Sequence, residues 1–222
     1  MSFLFALLLG GAVGLDATSF PQAMYSRPFV AGALAGLLVG RPLEGAVIGA
    51  VLEIFALPVM PFGAAYYPEG GTAAVAGTIA YDWATTAVDR DMLFLAVSLG
   101  LLLSHASGYS VRLLRIRNGW AVGRSDGAPL EPAAVERAHR LSMLLDFLRG
   151  AAVTAAGTAV IGLVLALAIR AEWRAPVEPV LVLLVAAVAM AGGSLTVFGT
   201  VRERVASFGL GAALTALALW LL

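Results

Sequence analysis

Cysteine and lysine are both absent from this 222-residue chain. Without cysteine there is no disulfide, no thiolate catalysis and no cysteine-ligated metal. Without lysine there is no glycine-rich phosphate loop ending in Gly-Lys, and no His-Glu-x-x-His pair marks a zinc enzyme. Charge is scarce too: 13% of residues are charged, and 14 basic residues balance 14 acids to a net charge of zero. The arginines are scattered rather than gathered on one face, so no nucleic-acid partner is expected. Histidine occurs twice. His105, between Ser104 and Ala106 in an apolar run, reads as a packed, hydrogen-bonded residue before it reads as a proton relay, and His139 reads as solvated. Neither stands in a motif for a metal or nucleophile site. The residues thus lead to no expected catalytic site, metal or cofactor.

What is present is hydrocarbon. Apolar residues make up 60% of the chain and the mean hydropathy is +0.92, far outside the soluble average. The apolar runs suit helices, which need about 20 residues to cross about 30 Å of bilayer. They lack the alternation of about 10 residues per strand that marks an outer-membrane barrel. The expected fold is an all-α integral membrane protein, a multi-span helical bundle forming a single membrane domain over 1–222. Met1 to Leu9 is apolar without a basic flank, so it reads as the start of a helix rather than a cleaved signal peptide.

Polar residues interrupt this background mainly between Gly14 and Gly77. Phe3 to Leu15 is an apolar run ending at Asp16, and Thr18-Ser19-Phe20-Pro21-Gln22 predicts a break or a helix restart. Pro28 to Gly40 and Gly45 to Leu57 are each too short to span, and Arg41-Pro42-Leu43-Glu44 joins them. Short apolar segments about a charged turn predict broken helices with at least one re-entrant hairpin in the N-terminal third, a form tolerated only where protein or water shields the backbone and one that transporters use to expose polar groups to a solute. Gly32, Gly36, Gly40 and Gly45, Gly49, spaced by four, place each set on one helix face for close packing. Phe62 to Gly71 is irregular, Thr72 to Ala80 apolar and Tyr81 to Asp91 a polar loop, and Tyr66, Tyr67, Tyr81 and Trp83 read as interfacial aromatics.

Met92 to Val111 reads as a complete span. Arg112 to Arg140, with six arginines read within it, is the one long polar connection and falls in the cytoplasm by the positive-inside rule. Within it Glu131 begins a helix whose Leu141, Leu144, Leu145 and Leu148 share a face. Leu141 to Ile169, Val177 to Val201 and Val205 to Leu222 complete the C-terminal helices of 141–222, opposite a polar N-terminal portion of 1–83.

Acids among apolar residues are the candidates for function, since a carboxylate at mid-membrane costs about 2.5 to 3.5 kcal/mol even on the mildest scale. Glu53, in Val51-Leu52-Glu53-Ile54-Phe55, is a solute contact, the partner of Arg27 or Arg41, or a protonated structural acid. Asp16 is either a solute contact or the cap of a restarting helix. Glu44 and Glu69 have solvated-loop alternatives. Carboxylates, the amide of Gln22 and free backbone groups suit sugar hydroxyls, because each offers directional hydrogen bonds.

Gly14 to Pro28, followed by the glycine ladder, resembles the N-terminal signature of the IIC subunit of mannose-type (mannose/fructose/sorbose) phosphotransferase systems. Leu52-Glu53-Ile54 with Phe62 to Ala65 and Pro68-Glu69 resembles that family's second signature, and the likeness is dense over Leu15 to Gly77. It implies a sugar-translocating subunit, with no enzyme activity and no phosphorylated residue of its own, in the bacterial inner (cytoplasmic) membrane. It implies a IID-like membrane partner, cytoplasmic IIA and IIB components that carry the phosphoryl group, a hexose substrate and an oligomeric assembly. Asp16, Gln22, Glu53 and Glu69 become candidate sugar contacts and Arg27 a structural partner. Departures fall at Arg41, where the family commonly has an acid, and at Glu69-Gly70-Gly71. An orphan scaffold or regulatory subunit and an ion-coupled secondary transporter remain the alternative readings.

Overall fold

The computed structural model describes residues 2–57, 67–121 and 131–175, together with residues 200, 202, 203, 205, 206 and 209. Apart from residues 200, 205, 206 and 209, the expected spans over 177–201 and 205–222 lie outside the described residues, as do the signature residues 62–65. Among those described, every regular element is helical: α1 (Ser2–Thr18), α2 (Pro28–Val39), α3 (Pro42–Ala56), α4 (Gly70–Ala84), α5 (Arg90–Ala121) and α6 (Pro132–Arg170). Two of them, α5 and α6, are long and apolar enough to cross a bilayer. The other four run 12 to 17 residues, or about 18 to 26 Å at 1.5 Å per residue.

The predicted pair of short helices is a tight antiparallel hairpin. Prolines open both α2 and α3, where the missing N–H leaves no bond unmade. Gly40, at φ 79°, closes α2 in the left-handed conformation that glycine adopts without strain. The glycine ladder is the contact surface: a Cβ on Gly32 would lie 2.3 Å from the Gly45 carbonyl oxygen, and one on Gly45 would lie 2.3 Å from that of Gly32. The backbones touch, which is what small residues at a helix crossing permit. Arg41 at the tip donates to Asp82 Oδ1 at 2.9 Å and to the Thr85 carbonyl at 2.7 Å, anchoring the hairpin to the end of α4.

Helix α4 is the hub. It packs against every other described helix, and Gly71 through Tyr81 are buried without interruption. A helix apolar all round belongs in an interior, and its alanines and glycines let five neighbours approach. Antiparallel to α1, α6 brings Gly150 against Gly14.

Two expected loops are shorter than the sequence suggested. The polar connection read over Arg112 to Arg140 narrows from its N-terminal end, since α5 continues to Ala121, while α6 begins at Pro132, as the helix read from Glu131 requires. Arg112, Arg115 and Arg117 are exposed on the extension of α5, and arginine is a good helix former wherever its head reaches water. The loop read over Tyr81 to Asp91 contracts to 85–89 because Asp89 caps α5, accepting from the Met92 and Asp91 N–H groups. Tyr81 is then no interfacial residue: it is fully buried, with its hydroxyl accepting from Asp89 N at 2.9 Å.

Candidate functional site

The break between α1 and α2 covers residues 19–27 and contains no restarted helix. Asp16, read as either a solute contact or the cap of such a restart, sits in the last turn of α1 at 2% exposure. It accepts from the backbone N–H groups of Ala23, at 2.6 Å, and Ser26, at 2.9 Å. Proline at position 21 and a buried carboxylate satisfying non-helical backbone explain why the chain stays open here. Gln22 and Met24 are held at φ 59° and 68°. Side chains rarely adopt this left-handed region, and it persists where the surroundings over-determine it. Asp16 holds the backbone beside them, at Ala23 and Ser26.

Arg27 closes the break. Its guanidinium donates to Glu53 Oε1 at 3.0 Å, and Glu53 Oε2 accepts from Phe29 N at 3.4 Å in the first turn of α2. Of the two arginines the sequence offered Glu53, the structure chooses Arg27, while Arg41 turns to Asp82 and Glu44. The Glu53 side chain is 21% exposed, so it ties the open ends of the hairpin together at a partly solvated position.

Glu69 lies across from the break, in extended chain immediately before α4, and is 4% exposed. Its carboxylate caps α4 by accepting from Thr72 N at 3.1 Å, where the helix dipole favours negative charge. It also accepts from the hydroxyls of Thr72 and of Ser107 on α5. Gly71 allows this arrangement: a Cβ there would lie 2.3 Å from the Ser26 carbonyl oxygen of the break.

Two charged residues of α6, not singled out as contacts by the sequence, complete the cluster. Arg149 Nη1 is 3.9 Å from Glu69 Oε2 and its Nε is 3.8 Å from Asp146 Oδ1. Arg149 donates to the Gly14 carbonyl at 3.2 Å and the Ser110 hydroxyl at 3.3 Å, and Asp146 accepts from the Ser19 hydroxyl. The available signal was an i, i+3 charge pair inside the otherwise apolar stretch of 141–169 in α6, because buried charges at membrane depth mark function. The leucine face of α6 noted in the sequence points the other way, with Leu141, Leu144 and Leu148 exposed.

Two adjoining cavities open between these walls. One of about 240 Å³ is lined by Arg27, Tyr67, Pro68 and Glu69 among others. The other, of about 210 Å³, is lined by Asp16, Gln22, Met24, Ser26 and Arg27. Ala17, Ser26 and Arg27 belong to both. Asp16, Gln22, Glu69 and Arg27 are therefore brought together, whereas Glu53 lines neither cavity and reaches them through Arg27. A larger cavity of about 320 Å³ between α5 and α6 is walled by Leu99, Leu102, Leu103, Val160 and similar residues, and contains none of the polar candidates. Each polar cavity is smaller than the pocket of about 300 to 1,000 Å³ that a drug-sized ligand occupies, a scale suited to a small polar solute. Among the described residues no three His, Asp or Glu side chains converge as metal ligands.

The family model described as the PTS system sorbose-specific IIC component matches residues 1–201. The sorbose-specific EIIC component of the Lacticaseibacillus casei phosphotransferase system is 40% identical over 53 residues, which are 24% of this chain and 19% of that protein. The matched stretch thus spans about a fifth of that relative's length. A solved membrane-protein structure shares the fold at a TM-score of 0.64 and 18% identity, with 100% of this chain and 95% of the other covered.

Proposed function

The chain belongs to the sorbose-specific IIC family of phosphotransferase-system membrane components, and from that premise we propose that it binds and translocates a hexose. The sugar sits in the adjoining cavities, where Asp16, Gln22 and Glu69 meet its hydroxyls and Arg27 joins the two halves. The observation that carries this reading is the convergence of Asp16, Gln22, Arg27 and Glu69 on two cavities of about 210 and 240 Å³. Carboxylates and an amide at such a site offer directional acceptors and donors, and a substrate hydroxyl that satisfies them is discriminated strongly from one that does not. Glu53 acts one step removed, by orienting Arg27.

In this reading the hairpin of α2 and α3 is re-entrant, because α2 is only 12 residues long and about 30 Å of hydrocarbon exceeds its reach. The subunit lies in the bacterial cytoplasmic membrane, spans it several times and works in an oligomer with a IID-like partner, while separate IIA and IIB components supply the phosphoryl group. The test is sugar uptake by membrane vesicles containing the chain with a candidate IID partner and the soluble components. Uptake that requires phosphoenolpyruvate and survives an ionophore supports the proposal. Uptake that collapses with the ionophore and ignores phosphoenolpyruvate identifies an ion-coupled transporter instead.

A further inference from the structure

We propose that Arg149 is a positioning residue that locks the two walls of the site together, so that occupancy at Glu69 is transmitted to the break over residues 19–27; the transmission rests on the sugar reading above, the lock does not. One wall is the α4 cap, where Arg149 Nη1 stands 3.9 Å from Glu69 Oε2. The other is the end of α1 and the break, where Arg149 donates to the Gly14 carbonyl at 3.2 Å and reaches Ser19 through Asp146. A single planar guanidinium thus faces two carboxylates and a backbone carbonyl from different elements, a role its fixed fork of donors suits and an ammonium does not.

The lock is poised rather than saturated. Arg149 has a side chain only 8% exposed, yet its Nε has no hydrogen-bond partner. The two carboxylate contacts, at 3.8 and 3.9 Å, are ion pairs longer than a hydrogen bond. Glu69 already accepts from Thr72 N and from two hydroxyls, so of its roughly four lone-pair sites about one remains for a ligand. That site is on Oε1, because Oε2 accepts both hydroxyls, and a sugar hydroxyl bound there draws on the charge of the same carboxylate that Arg149 faces at Oε2. The guanidinium then shifts its weight toward Asp146, and Asp146 holds Ser19, the first residue of the break.

The absence of native cysteine makes this testable without background. A cysteine placed at the half-buried Ser26, an isosteric change inside the break, reports opening by its rate of maleimide labelling in the solubilised protein. A second one at the half-buried Ala84, at the far end of α4, reports general loosening. Arg149→Gln is expected to speed labelling of S26C about tenfold, the loss of a charge-assisted bond, and to leave A84C unchanged. Ser19→Ala, which leaves every charge in place but removes the hydroxyl that donates to the Asp146 carboxylate, is expected to speed S26C about tenfold as well. Hexose is expected to slow S26C labelling, and to lose that effect in R149Q. Parental S26C rates in both variants, or equal acceleration at A84C, overturn the proposal; if R149Q does not fold, S19A decides alone. Faster labelling of R149Q at S26C only, with no hexose effect on the parent, upholds the lock and overturns the sugar reading instead.

Discussion

Arg27 and Glu53 meet at 3.0 Å across the open ends of the α2–α3 hairpin, with the arginine 56% and the glutamate 21% exposed. That exposure sets the scale of the pair: partly solvated ion pairs are worth about 0 to 1 kcal/mol. A double-mutant cycle of R27A and E53Q, read by thermal or denaturant unfolding, is expected to give a coupling below about 1 kcal/mol. A coupling several times larger indicates that the pair is buried in the working assembly.

The hairpin depends on backbone contact. Gly45→Ala places a Cβ 2.3 Å from the Gly32 carbonyl oxygen, and backbone cannot step aside as a flexible side chain can. Overpacking of this kind costs about 1 to 3 kcal/mol, so G45A is expected to lower the unfolding midpoint clearly. Gly119→Ala, on the exposed end of α5 with open space around it, is the matched control and is expected to leave the midpoint unchanged or raised. Equal midpoints for G45A and wild type contradict the close-packed hairpin.

Arg41 offers a sharper stability test than Arg27. Its side chain is 15% exposed, it donates to Asp82 and to the Thr85 carbonyl, and its guanidinium lies 5.7 Å from the centre of the Tyr81 ring. Hydrogen bonds to charged groups are worth about 1.5 to 3 kcal/mol each. Arg41→Ala is expected to destabilise the chain by about 2 kcal/mol on that scale, measured by denaturant unfolding, while hexose affinity stays within about threefold of wild type because Arg41 lines neither polar cavity. A variant as stable as wild type shows that the hairpin tip is held by something else.

The hairpin was legible because glycines four apart can lie only on one helix face, and its charged turn could not continue a buried helix. Asp16 and Gln22 were legible as polar residues at a proline break. Their mutual geometry was not, because the two N–H groups that Asp16 accepts from are backbone and leave no trace in side-chain pattern. Glu53 was read as deeply buried from its neighbours Leu52 and Ile54, yet a helix residue can face away from the core its neighbours join. The polar stretch from Arg112 to Ala121 read as loop because charge was weighed against membrane burial, while α5 extends beyond its apolar stretch. Asp146 and Arg149 escaped notice as contacts since nothing local says that α6 turns this face, rather than its leucines, toward α1 and α4.

On the proposed reading, a hexose occupies the space between the Asp16-capped break and Glu69. Titration calorimetry of the purified full-length chain against a hexose panel, on wild type, E69Q and E53Q, tests it most directly. The account predicts saturable binding of at least one hexose, weakened about tenfold or more by E69Q, which unpairs a buried charged network, and at most about threefold by E53Q, which acts only through a partly solvated ion pair. Binding that E69Q leaves intact and E53Q abolishes contradicts it and moves the site to the open end of the hairpin.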